Sequence, residues 1–77
     1  MIDGGATVRI GSRVCVRDRD GEVGFSIVDP AEADVAEERV SADSPLGRAL
    51  LGRRVGDEVR FRAPAGTLSV TVVGVNG

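Results

Sequence analysis

The side chains of this sequence that could take part in chemistry are carboxylates, arginines, hydroxyls and one thiol, because the chain contains no histidine. Catalytic arrangements of the Ser-His-Asp and Cys-His types are therefore excluded, as are metal sites with histidine ligands. A single cysteine, Cys15, excludes both an internal disulfide and a zinc site built on a cysteine pair. No spacing among the carboxylates singles out a catalytic pair. The residues indicate a binding module without metal or other cofactor, and they do not indicate an enzyme.

One short motif, Asp43-Ser44-Pro45, carries a definite structural meaning. Ser44 is a preferred helix N-cap, since its hydroxyl can accept a hydrogen bond from the first helical turn. Pro45 then falls at the first helical position, where its missing N–H does no harm. Capping gives Asp43 no task, and it leaves Pro45 next to Leu46 at an exposed corner. Two interpretations remain open at this point: a plain helix start, or a contact site for a partner.

Composition indicates one small domain. Its 77 residues, 1–77, are near the lower limit for folding around a single hydrophobic core, and we expect the glycine-rich residues 1–6 to be flexible. The apolar residues are mostly Val, Ala, Leu and Ile, with two phenylalanines and no Trp or Tyr. Such β-branched content favours a sheet. The formal charge is −2, and all ten basic residues are arginine, which does not resemble the basic surface of an autonomous nucleic-acid-binding domain.

The sequence has no feature of a targeting or membrane segment. The first residues lack a basic start and an apolar run, and no later segment reaches the roughly 20 apolar residues that a membrane-spanning helix needs. One unpaired cysteine suits a reducing compartment. We therefore expect a cytoplasmic monomer with no membrane partner and no specific nucleic-acid partner.

Segments of alternating polarity predict two β-hairpins. The first joins Ser12–Asp18 to Glu22–Val28, and the second joins Glu58–Ala63 to Thr67–Val75. An earlier segment, Thr7–Gly11, is either a short strand or an extended lead-in. The alternation predicts that the following side chains face the core: Val14, Val16, Val23, Phe25, Ile27, Val59 and Phe61.

Between the hairpins, the acidic segment Ala31–Val40 predicts a solvated loop that leads into a short strand at Glu38–Ser41. A helix is predicted over Pro45–Leu51, and Gly52 supplies its C-terminal stop. Its apolar face consists of Leu46, Leu50 and Leu51. The element order β-β-(β)-α-β-β predicts an α+β fold, in which one short helix packs across a twisted antiparallel sheet of four to five strands.

These segments, taken in order, resemble the C-terminal domain of the bacterial transcript cleavage factors, the Gre family. The resemblance runs from Val8 to Val75. The stretch GSRVCVRD is similar to the first strand of that domain, FSIVDPAEAD to a strand that passes into an acidic loop, and FRAPAGTLSVTVVGV to the closing hairpin. The specific part is VSADSPLGRALLGRRVGDEV, which contains the Asp-Ser-Pro motif. The resemblance implies an FKBP-like α+β fold.

The resemblance also implies a partner. In the Gre family the C-terminal domain docks on RNA polymerase at the rim of the secondary channel, against helices of the β′ subunit. By position, the contact loop of the family falls on Asp43, Ser44 and Pro45, and Leu46 adds apolar contact. The family also carries an N-terminal helical hairpin whose acidic tip promotes RNA cleavage. That hairpin has no counterpart in this sequence, which is either a domain of a longer factor or a natural short relative. In both cases we expect docking by this chain without stimulation of cleavage.

Two alternative functions come from the same fold. An FKBP-like fold raises the hypothesis of a peptidyl-prolyl isomerase, but two phenylalanines in alternating strands cannot line the aromatic pocket of such an enzyme. An adaptor domain that binds some other protein stays open, because a fold does not fix its partner.

Overall fold

The computed structural model describes residues 6–76, which form one five-stranded sheet and one α-helix. The strands are β1 (Arg13–Asp18), β2 (Gly21–Val28), β3 (Arg39–Ser41), β4 (Glu58–Ala63) and β5 (Gly66–Asn76). The helix α1 (Pro45–Leu50) follows β3, and two single 3-10 turns at Pro30–Glu32 and Val35–Glu37 connect β2 to β3. The order of strands in the sheet is β3-β2-β1-β5-β4. The expected flexibility of residues 1–6 concerns mainly residues 1–5, which lie outside the described residues.

The predicted α+β architecture and both predicted hairpins are confirmed. β1 and β2 pair antiparallel from Arg13 opposite Ser26 to Asp18 opposite Gly21, and β4 and β5 pair antiparallel from Glu58 to Ala63. The helix contacts β3 at one edge of the sheet and β4 at the other. It therefore lies across one face of the sheet, as the apolar pattern predicts.

One strand pair differs from the predicted antiparallel arrangement. β2 and β3 run parallel, with Ser26 opposite Arg39 and Val28 opposite Ser41. Parallel neighbours need a long connection that returns to the starting end of the first strand, and here residues 29–38 with their two 3-10 turns provide it. The acidic segment thus forms a crossover, and the sheet is mixed.

β5 contains a bulge where it pairs with β1. Val75 lies opposite Val14 and Val72 lies opposite Val16, with a register shift between Cys15 and Val16. Without the extra residue, side chains three positions apart would point to opposite faces. Because of the bulge, Val72 and Val75 are both buried. Bulges also increase strand twist, which helps the sheet to curve around the helix.

The core lies between α1 and the covered face of the sheet. Its buried apolar residues are Val8, Val14, Val16, Phe25, Ile27, Ala42, Leu50, Val59, Val70, Val72 and Val75. Val8 belongs to the extended lead-in, which is no strand of the sheet. Its N–H donates to the Arg53 carbonyl and its own carbonyl accepts from the Gly52 N–H, both at 2.8 Å. The lead-in is therefore fixed to the residues that follow α1.

Two residues that the patterns predict in the core are exposed. Val23 is 53% exposed, although Val16, its partner on β1, is buried. Leu51 is 36% exposed. The helix ends at Leu50, one residue earlier than predicted, and Leu51 has a ψ of 129° that turns it off the apolar face. Phe61 and Leu46 pack against the core but are only half-buried.

The difference between the two neighbouring leucines can be tested by unfolding in denaturant. Leu50 is completely buried, so we expect Leu50→Ala to lower the free energy of unfolding by about 2–5 kcal/mol. Leu51→Ala removes the same atoms from a partly exposed site and should cost less than about 1 kcal/mol. Equal losses for the two variants would contradict the packing of α1 described above.

Candidate functional site

The predicted site residues lie together where β3 leads into α1. We refer to residues 43–46, the last residues before the helix and its first two positions, as the helix-start edge. Asp43 and Pro45 are exposed, whereas Ser44 and Leu46 are half-buried. The edge therefore presents a carboxylate and a proline ring to solvent, two residues apart along the chain.

Ser44 is the N-cap of α1, as predicted. Its hydroxyl oxygen accepts a hydrogen bond from the Gly47 N–H at 3.0 Å, and the hydroxyl donates to the Ser41 carbonyl at 2.7 Å. Both bonds are made within the chain, and the hydroxyl proton of Ser44 is donated to the Ser41 carbonyl. The side chain of Ser44 thus holds the edge in shape, and it contributes less to the open surface than its neighbours.

Asp43 differs from Ser44 in this respect. Its backbone N–H donates to the Ser41 hydroxyl oxygen at 3.0 Å, but no donor among residues 6–76 bonds to its carboxylate. The side chain is also exposed. With no partner among the described residues, this carboxylate can accept charge-assisted hydrogen bonds from a donor on another molecule.

Pro45 and Leu46 form the apolar part of the edge. Pro45 occupies the first helical position, where its ring points out from the helix start and is exposed. Leu46 packs against the core while part of its side chain stays accessible. The helix-start edge therefore combines accessible apolar surface with the exposed Asp43 side chain.

Sequence reasoning did not identify Ser41 and Gly47, which give the edge its shape. Gly47 is buried against the end of β3. A Cβ atom at this position would collide with the Ser41 carbonyl oxygen and lie 3.0 Å from the Ala42 Cα atom. Glycine inside a helix is disfavoured by about 1 kcal/mol relative to alanine. A glycine inside the predicted helix was therefore the one sequence feature that could have indicated a close approach of α1 to β3.

One further surface feature of residues 6–76 is a groove. A shallow groove between the β1–β2 turn and the start of β5 is lined by Asp18, Arg19, Asp20, Phe61, Thr67, Leu68, Ser69 and Val70. One aromatic side chain, Phe61, is in its lining. Within residues 6–76, no group of three or more Cys, Asp or Glu side chains could hold a metal ion. In the same part of the chain no helix is long and apolar enough to cross a membrane.

Comparison with known proteins decides the family. A family model described as "Transcription elongation factor, GreA/GreB, C-term" matches residues 3–77. The chain belongs to the GreA/GreB family. The resemblance to Gre factors drawn from the sequence is thereby confirmed.

The family's members include relatives with substantial sequence identity. Transcription elongation factor GreA from Thermotoga neapolitana is 48% identical over 73 residues, a match that covers 92% of this chain and 47% of the relative. GreA from Clostridium acetobutylicum is 49% identical over 61 residues, covering 77% of this chain and 39% of the relative. The chain therefore spans less than half the length of these GreA proteins.

Solved structures of the family share the fold. The crystal structure of Thermus aquaticus Gfh1 superposes with a TM-score of 0.83 at 38% identity, covering 91% of this chain and 48% of that one. The GreA/GreB elongation factor from Nitrosomonas europaea gives a TM-score of 0.74 at 34% identity, covering 91% of this chain and 60% of that one. The mixed sheet with its crossing helix is thus the architecture of this family's domain.

Because Gly47 lies so close to β3, we expect its replacement by alanine to destabilise the domain. In an open helix Gly→Ala would stabilise, but here the added methyl group must push the backbone of β3 away. We expect Gly47→Ala to lower the free energy of unfolding by about 1–3 kcal/mol, as overpacking does elsewhere. Arg48→Ala, at the next and exposed position, should change it by no more than about 0.5 kcal/mol. Thermal or urea unfolding measures both, and a stabilised Gly47→Ala would contradict the contact.

Proposed function

We propose that this chain is the RNA polymerase-binding module of a Gre-type transcription elongation factor, which docks through its helix-start edge. Membership of the GreA/GreB family supports the type of factor. The observation that carries the docking edge is the Asp43 carboxylate, which is exposed and accepts no hydrogen bond from residues 6–76. Its fixed position beside Pro45 makes it suited to a specific contact.

In the proposed complex, Asp43 pairs with a basic side chain on the rim helices of the polymerase β′ subunit. Pro45 and Leu46 bury apolar surface against the same helices. Ser44 acts from inside, because its hydroxyl bonds to Ser41 and Gly47 keep the loop in the binding shape. A surface that is already ordered loses little conformational entropy on association.

The size of the domain limits the strength of this interaction. The described residues expose 5174 Å² in all, and only one end of the molecule carries the edge. An interface below about 1,200 Å² belongs to the weak or transient class. We therefore expect a dissociation constant in the micromolar range, roughly −8 kcal/mol or weaker.

Binding of variants to core RNA polymerase tests the docking edge. Removal of a charge-assisted contact costs about 1.5–3 kcal/mol, so Asp43→Ala should weaken binding about tenfold to a hundredfold while the fold stays intact. Competition with a full-length GreA for bacterial core polymerase provides the measurement. Asp20→Ala is the matched control, since it removes an exposed aspartate from the β1–β2 turn instead and should bind like the wild type.

An unfolding measurement on Ser44→Ala and Asp43→Ala, beside the competition assay, separates docking from helix capping. Because Ser44→Ala deletes the N-cap bond to Gly47, it should lower stability by about 1 kcal/mol, whereas Asp43→Ala should not. If folded Asp43→Ala competes as well as wild type, the helix-start edge is only a helix start. Binding to a protein other than the polymerase would then favour the adaptor hypothesis.

The chain alone should not act on RNA. We expect it to leave a stalled transcription complex uncleaved under conditions in which a full-length GreA stimulates cleavage, because no metal-binding carboxylate cluster occurs within residues 6–76. It should also compete with that GreA and reduce the cleavage in proportion to its occupancy. Cleavage by the purified chain in the absence of GreA would overturn the proposed role as a docking module.

A further inference from the structure

Ser41, the last residue of β3, bonds to both residues that follow Ala42. Its hydroxyl oxygen accepts from the Asp43 N–H at 3.0 Å. Its carbonyl oxygen accepts from the Ser44 N–H at 3.0 Å and from the Ser44 hydroxyl at 2.7 Å. The backbone of Asp43 is therefore tied to Ser41 on either side of its Cα atom.

We propose that Ser41 is a positioning residue, whose hydroxyl fixes the peptide of Asp43 and so aims the Asp43 carboxylate at the partner. This inference rests on the proposed function, and it adds a residue that neither the sequence motif nor the Gre resemblance indicated. Ser41 itself is half-buried and precedes the exposed edge, so it acts through Asp43 and not by its own contact.

The hydrogen bonds around Asp43 explain why the hydroxyl matters there. The N–H of Ala42 donates to the Val28 carbonyl at 2.8 Å, and the N–H of Ser44 donates to the Ser41 carbonyl. Both neighbours are thus held by backbone bonds, which no side-chain substitution removes. The Asp43 N–H, in contrast, depends on a side-chain hydroxyl. Loss of that hydroxyl frees one peptide within an otherwise fixed turn.

The expected consequence concerns binding more than stability. Asp43 is exposed, so water can replace the lost acceptor and little free energy of folding is forfeited. A freed peptide, however, lets the carboxylate take several directions, and the partner must then select one of them. Binding weakens by the fraction of molecules in which the carboxylate points correctly.

A pair of variants with the same shape isolates the hydroxyl. Ser41→Thr keeps an Oγ atom and Ser41→Val replaces it with a methyl group, and both β-branched residues suit a strand. The control is Ser69→Ala, which deletes a serine hydroxyl that donates to Glu58 on β4, away from the edge. Each variant is measured for unfolding, for competition with GreA on core polymerase, and for hydrogen exchange of the Asp43 amide.

We expect Ser41→Val to bind about three- to tenfold more weakly than Ser41→Thr, with faster exchange of the Asp43 amide and an unfolding midpoint close to that of Ser41→Thr. Ser69→Ala should bind like the wild type. In an Asp43→Ala background the Val and Thr variants should bind equally, because the group that Ser41 positions is gone. This non-additivity is the readout that a merely structural role would not produce.

Each contrary outcome has a distinct meaning. Equal binding of Ser41→Val and Ser41→Thr, while Asp43→Ala still weakens binding, would overturn the role of Ser41 and leave the docking edge standing. A Val effect of the same size in the Asp43→Ala background would show that Ser41 supports the fold of the edge as a whole, which also overturns the proposal. Normal binding of Asp43→Ala would contradict the proposed docking edge itself, and the role of Ser41 would fall with it.

Discussion

The close contact between Gly47 of α1 and the carbonyl of Ser41 at the end of β3 is the constraint on which the arrangement of the middle of the chain depends. Neither element is stable alone, since β3 has three residues and α1 has six, and isolated pieces of this length do not persist in water. Each is held by the other and by the burial of Leu50 under the sheet. Hydrogen bonds to Ser41 hold the turn between them, and the proposed docking of the exposed Asp43 carboxylate relies on this order.

Much of the fold could be predicted from local patterns, and its exceptions have non-local causes. Alternating segments and turn residues specified both hairpins, and Ser44 with Pro45 specified the start of the helix. The parallel pairing of β3 was not predictable, because a three-residue strand has no pattern of its own and its direction depends on the path of residues 29–38. The bulge in β5 could not be predicted for a similar reason. It is defined by the register of β5 against β1, which no single segment encodes.

The candidate site was predictable in one part only. Physical reasoning explained Ser44 and Pro45 as a cap and left Asp43 open as part of a contact site, and the Gre resemblance then favoured that interpretation. Ser41 and Gly47 could not be recognised, because the approach of Gly47 to the Ser41 carbonyl and the hydrogen bond of the Ser41 hydroxyl exist only in the folded chain. A glycine where alanine would favour the helix was a hint, but several causes produce the same hint.

The position of β1 in the middle of the sheet has a consequence for how the domain is made. β1 lies between β2 and β5, and its Arg13 pairs with Asn76 near the far end of the described chain. During synthesis the β1–β2 hairpin leaves the ribosome before β5 does, and a lone hairpin is only marginally stable in water. One edge of β1 stays open until β5 follows, so the sheet cannot close while the chain is still growing through residues 66–76. We therefore expect folding to be completed late, in a single step after translation of β5, and nascent chains to expose an unpaired central strand until then.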